Sequence, residues 1–124
     1  MTEPTIKYDE PSDTLYVSFS PGEAATGIEL NEHILLRVNK ADRRAVGLTI
    51  FDYSALAQPT ELGPRSLPLA GLNELSPELR ELALEVLRTP PVQDILSLSA
   101  YTPSAVEVVP IASLKPTILT RQAA

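Results

Sequence analysis

Between residues 6 and 56 apolar and polar side chains alternate in short runs, the signature of strands buried on one face. Leu15, Val17 and Phe19 point one way, and Tyr16, Ser18 and Ser20 the other. Residues 26–30 repeat the pattern with Ile28 and Leu30 inward, and residues 34–38 repeat it with Ile34, Leu36 and Val38. Val46, Leu48 and Ile50 form a last inward row opposite Gly47, Thr49 and Phe51. Turn residues separate the runs: Asp9-Glu10-Pro11-Ser12-Asp13, then Ser20-Pro21-Gly22, then Asn31-Glu32, then residues 40–44. Asn31 tolerates the left-handed backbone that a tight hairpin demands. Links this short predict antiparallel neighbours, because parallel pairing needs a crossover of a dozen or more residues.

Past residue 75 the period changes from two to 3.6. Ser76 suits an N-cap, Pro77 the first helical position and Glu78 the positive end of the helix dipole. Leu79, Leu82, Ala83, Val86 and Leu87 then form an apolar stripe, so a helix is predicted over residues 77–88. Thr89-Pro90-Pro91 stops it. A second short helix over residues 92–97 would bury Val92, Ile95 and Leu96. Residues 57–75 carry Pro59, Gly63, Pro64, Pro68 and Gly71, and predict an extended surface connection with a brief strand at 65–69. Residues 105–110 look strand-like, with Val106 and Val108 on one face. Pro110 and Pro116 confine that strand to a sheet edge or an arm.

The expected class is therefore α+β: an antiparallel β-meander of four to five strands (residues 5–56), an extended connection (57–75), a cover of one or two helices (76–98) and a further edge strand or arm (105–119). A length of 124 residues predicts one domain, spanning 1–124. Leu15, Val17, Ile28, Leu36, Val38, Leu48 and Ile50 are the expected core, beneath Leu79, Leu82, Val86 and Leu87.

Composition narrows the functions. There is no cysteine, which removes disulfides, thiolate nucleophiles and cysteine-ligated metals. The net charge of −6 disfavours nucleic acid, whose binding needs clustered cations, and only Lys40, Arg43 and Arg44 lie close together. No apolar run approaches the roughly 20 residues of a membrane span. The opening Met1-Thr2-Glu3-Pro4 lacks the basic and apolar regions of a signal peptide, so a cytoplasmic protein is expected.

The Tyr8-Asp9…Asp13-Thr14-Leu15-Tyr16-Val17 hairpin, the run at 34–38 and the closing Val46-Gly47-Leu48-Thr49-Ile50-Phe51-Asp52 resemble DUF2283, a group of small bacterial proteins without assigned function. The resemblance covers residues 5–56. It implies a small antiparallel sheet with a helical addition and no catalytic activity. Asp42-Arg43-Arg44 departs from the Asp-Gly-Arg-like turn of that family, which predicts a longer loop without positive φ. Some members resemble the smaller partners of toxin-like proteins.

Candidate chemistry is sparse. His33 is the only histidine, and it lies in a hairpin, so an acid–base dyad or multi-histidine metal site would need a second chain. Asp9, Glu10 and Asp13 lack the spacing of a calcium loop and are explained by turn capping. Asp52 would reach the Asp9–Asp13 hairpin if the sheet curls, and clustered carboxylates raise one another's pKa. Ser18, Ser20, Ser97 and Ser99 lack a nucleophile setting, Gly22, Gly27 and Gly47 form no phosphate cradle, and Tyr8, Tyr16, Tyr53 and Tyr101 suit either packing or a pocket. No catalytic, cofactor or metal residue is assigned. The expected function is a non-catalytic interaction module that forms a homodimer, with the 105–110 segment and the tail to Leu119 contributing to the contact through Ile111, Leu114, Ile118 and Leu119. The alternatives are an antitoxin-like partner of a small basic toxin, and a small-ligand binder or hydrolase with a site between the sheet and residues 57–75.

Overall fold

A computed structural model describes residues 4–115. It is an α+β fold with a five-stranded antiparallel sheet, a second sheet of three strands and one helix longer than two turns. The large sheet contains β1 (Thr5–Asp9), β2 (Thr14–Ser18), β3 (Thr26–Glu29), β4 (Ile34–Asn39) and β5 (Arg44–Phe51), in the order β1-β2-β5-β4-β3. All its pairings are antiparallel, as the short links predict. One step departs from neighbour pairing: β2 lies against β5, while β3 forms the opposite edge. The link between them, residues 19–25, must pass three strand spacings, roughly 14 Å. Seven residues reach more than 20 Å when extended, so the crossing is within its span. The eight-residue β5 outcompetes the four-residue β3 because it aligns Leu15 with Ile50 and Val17 with Leu48.

Two apolar rows cross the inner face: Tyr8, Leu15, Ile50 and Ile34, then Ile6, Val17, Leu48, Leu36 and Ile28. The seven expected core residues of the sheet are all buried. Val46 does not extend the inward row. A bulge between Arg37 and Val38 sets Ala45 opposite Val38, leaving Val46 unpaired, and its carbonyl accepts from the Phe19 and Ser20 amides.

The short α1 (Tyr53–Leu56) follows β5, and α2 (Pro77–Leu87) covers the sheet with Leu82, Ala83, Val86 and Leu87 buried. Ser76 caps α2 by accepting from the Leu79 amide at 3.3 Å. Leu79 is only half-buried.

The second half holds three corrections. Residues 57–75 are not merely a surface connection: β6 (Leu67–Pro68) and a 3-10 turn (Ala70–Glu74) bring Leu67, Leu69 and Leu72 into the core. The expected helix at 92–97 is a single 3-10 turn (Val92–Asp94) followed by β7 (Leu96–Tyr101). That turn buries Val92 and Ile95, after which the alternating Leu-Ser-Leu-Ser favours a strand. The expected strand at 105–110 lies further on, as β8 (Val109–Leu114), with Val106 exposed in the loop before it. Pro116, Ile118 and Leu119 of the expected arm lie outside the described residues.

β8 is the middle strand of the order β6-β8-β7, so Pro110 is not confined to an edge. Its carbonyl accepts from the Leu69 amide at 2.9 Å, which turns its missing N–H toward the end of β6 and away from β7. The β7–β8 ladder therefore loses nothing. Pro68 likewise faces outward, its carbonyl accepting from the Asn31 side chain at 3.0 Å.

Candidate functional site

The hairpin ends carry the polar architecture. In the β1–β2 turn the Asp9 carboxylate accepts from the amide and hydroxyl of Ser12. In the β4–β5 turn the Asn39 side chain accepts from the Asp42 amide at 3.0 Å. Each turn ends in a left-handed residue, Asp13 and Arg43, both at φ 52°. The longer loop expected from the missing glycine is not formed, and Arg43 adopts the positive φ itself. Its cost of roughly 1–2 kcal/mol is offset locally by Asn39 capping and by the Arg43 fork on Glu85, at 2.9 and 3.2 Å. Arg44 pairs with Glu23 at 2.7 Å, so two of the three clustered cations face carboxylates. Asn31 does not use the left-handed region; its side chain accepts from the amides of His33 and Ile34 at 2.7 and 2.9 Å.

Asp13 does more than shape its turn. It accepts from the Tyr8 hydroxyl at 2.6 Å, the Ser54 amide at 3.0 Å and the Ser54 hydroxyl at 2.8 Å. Its carbonyl accepts from the Tyr53 amide at 3.0 Å, and the Tyr8 and Tyr53 rings meet at 5.8 Å. The β1–β2 turn is thereby clamped to the start of α1. Ser54 was not a sequence candidate, and nothing local in its sequence marks it.

These bonds hold the Asp13 carboxyl below its ordinary pKa, the Tyr8 hydrogen bond first and the Ser54 amide next. The same bond to Asp13 leads the causes that push Tyr8 from 10.0 up to about 12. A lowered carboxyl pKa stabilises the fold above the unfolded value and is lost as pH falls through the folded one. A raised tyrosine pKa stabilises below the unfolded value and is lost as pH rises from about 10 toward 12. The unfolding midpoint is therefore expected to fall at both extremes, and Tyr8→Phe should flatten the alkaline arm. An alkaline arm unchanged in that variant would refute the assignment.

Asp52 does not join Asp13 in a carboxylate cluster. It occupies the left-handed position before α1, φ 57°, and faces His33, with 3.1 Å between Oδ2 and Nδ1. The other imidazole nitrogen lies 3.7 Å from Glu32 Oε1. An Asp–His pair orients an imidazole, and among the described residues Nε2 here faces the Glu32 carboxylate. The pair could not be read from sequence, because 19 residues separate its members.

Other candidates are dispersed. Ser20 accepts from Arg44 at 3.0 Å, while Ser97 and Ser99 lie exposed on β7. Tyr16 is next to Tyr8 in register but points to the opposite, outer face of the sheet, and Tyr101 lies at the end of β7. Among the described residues no group of three or more His, Asp or Glu side chains could hold a metal. A cleft of about 330 Å³ does lie between α1 and the 57–75 segment, lined by Leu56, Pro59, Pro64, Arg65 and Leu114. It is largely apolar, and the Arg65 guanidinium donates to the Gln58 carbonyl at 3.0 Å. No helix of the described residues is long and apolar enough to cross a membrane.

No curated protein and no solved structure matches the chain. Residues 5–54 match the family model described as "Protein of unknown function (DUF2283)". The match takes in all five strands of the large sheet and ends at Ser54, where the Asp13 clamp closes. The match to this family model spans residues 5–54, and the second sheet and α2 lie beyond it.

Proposed function

We propose that this chain is a single-domain, non-catalytic interaction module of the cytoplasm that associates with a second copy of itself. The observation that carries the reading is where its apolar surface lies. Of the six large apolar side chains exposed among the described residues, three, Tyr101, Val106 and Val108 at 56%, 94% and 61%, fall in the β7–β8 hairpin, while Tyr16, Phe51 and Leu62 lie elsewhere. Exposed apolar side chains gathered in one place mark an association surface more often than scattered ones do. The polar groups of the candidate site support the same reading, because Asp13, Tyr8 and Ser54 satisfy one another, while His33 is held between Asp52 and Glu32.

The test is the mass of the purified protein in solution across a concentration series, with anything co-purified identified. A mass of twice the chain is expected. A monomer at high concentration would refute self-association. A bound second protein would favour the toxin-partner reading, which the net charge of −6 supports for a basic partner. A bound small molecule would favour the cleft beside Arg65.

A further inference from the structure

Each open sheet edge offers unpaired amides and carbonyls, and proteins blunt such edges with charge, proline or a covering segment. The β1 edge carries Lys7 and Asp9 and begins after Pro4. The end of β3 is covered by the Ala70–Glu74 turn, whose Gly71 amide donates to the Leu30 carbonyl at 2.8 Å. β6 contains Pro68. Among the described residues the outer edge of β7 has none of these, and residues 95–106 contain no charged side chain at all.

The β7 edge also has a definite bonding pattern. Pro110 turns its backbone toward β6, so its opposite residue Ala100 is not bonded to β8. By alternation Ser97, Ser99 and Tyr101 exchange bonds with β8, while Leu96, Leu98 and Ala100 point their N–H and C=O groups to the free side. Lys115 donating to the Ile95 carbonyl at 3.0 Å continues the same alternation.

We infer that β7 pairs antiparallel with β7 of a second copy, about a two-fold axis at Leu98. This rests on the self-association reading and gives it a geometry. Among possible registers, only the one centred on Leu98 engages all three outward residues: Leu96 with the partner's Ala100, Leu98 with the partner's Leu98, and Ala100 with the partner's Leu96. A two-fold contact must be self-complementary, and an outward set spaced evenly about its own centre meets that demand. Two chains each of charge −6 repel, so an uncharged run of twelve residues is where they approach at least electrostatic cost.

Strand pairing alone buries less than a stable interface needs, roughly 1,000 Å² or more. The rest is at hand. The register sets the partner's Tyr101 opposite Ile95, diagonal to Ser97. A cleft of about 450 Å³ opens there between Arg88, Asp94, Ser97 and Lys115. A tyrosine, apolar in body and polar at its tip, fits a rim of that kind. Leu98, half-buried in one chain, is completed by its symmetry mate. Val106 and Val108 extend from the same hairpin.

The test uses the full chain and three exposed positions. Ala100→Lys places a charge on the free edge without touching the β8 ladder. It is expected to give a monomer at concentrations where the parent is a dimer, with an unchanged circular dichroism spectrum. The second measurement reads the register. Ser97 stands opposite the partner's Ser99 at a non-bonded pair, where Cα atoms lie about 4.5 Å apart, within disulfide range. The chain has no cysteine of its own, so an oxidised mixture of Ser97→Cys and Ser99→Cys should yield a covalent dimer far in excess of either variant alone. A dimer that survives Ala100→Lys, with no preferred cross-link in the mixture, overturns the β7 contact and leaves self-association standing. A monomeric parent overturns both.

Discussion

Truncating Leu36 to alanine is expected to destabilise the protein toward the upper end of the roughly 2–5 kcal/mol seen for buried leucines. Leu36 is 0% exposed and stands on β4 between Ile28 and Leu48, both also buried. β4 is bonded to strands on both sides, which holds its backbone in place. The vacated volume stays sealed, and a sealed void adds to the lost transfer energy. Leu82→Ala on α2 is the comparison. Leu82 is 4% exposed and lines an open cleft of about 260 Å³ beside Lys40 and Arg43, so water can enter the space it leaves. Its loss should fall in the lower half of the same range. For a chain of this size the Leu36 variant should unfold roughly 10–20 °C lower, measured by calorimetry or by circular dichroism against temperature. Equal losses for the two variants would show that α2 seals its side of the core as tightly as the sheet does. An unchanged midpoint for Leu82→Ala would show that α2 is peripheral.

Period two and period 3.6 were legible where one face is buried. The rows through Leu15, Val17, Leu36, Leu48 and Ile50 and the stripe through Leu82, Val86 and Leu87 follow directly from spacing. Strand order was not legible between β2 and β3, because alternation reports which face is buried and says nothing of which neighbour it meets. The bulge at Val46 is silent for the same reason, since Val46 is as apolar as its neighbours. Val92, Ile95 and Leu96 fit a helical stripe, yet Leu96, Leu98 and Ala100 also alternate with Ser97 and Ser99. Tertiary pairing with β8 decides between the two. The Asp13–Ser54 clamp and the Asp52–His33 pair join residues 41 and 19 positions apart, and local pattern carries no such information. Arg43 at positive φ shows the converse: a residue disfavoured locally is held by Asn39 and Glu85.

Gly71→Ala is expected to be nearly as damaging as Leu36→Ala, for the opposite reason. A Cβ at residue 71 would lie 2.0 Å from the Glu29 carbonyl oxygen and 2.8 Å from that of Leu30. Both are backbone atoms of β3 and the turn that follows, so neither can swing aside as a side chain does. The Ala70–Glu74 turn would have to lift away. That movement breaks the Gly71 amide bond to the Leu30 carbonyl, 2.8 Å, and strains the Asn31 bond to Pro68, 3.0 Å. It also draws Leu69 and Leu72, both buried, out of the core on either side of the glycine. Overpacking of roughly 1–3 kcal/mol combines with about 1 kcal/mol for the lost hydrogen bond. Gly27→Ala on β3 is the control. Its Cβ would meet only the tip of the Leu35 side chain, at 3.4 Å, which can rotate, so its stability should stay within about 1 kcal/mol of the parent or rise. Urea unfolding of the two variants separates the cases. If Gly71→Ala matches Gly27→Ala in midpoint, the 70–74 turn is not docked on β3, and the β3 edge is left as open as that of β7.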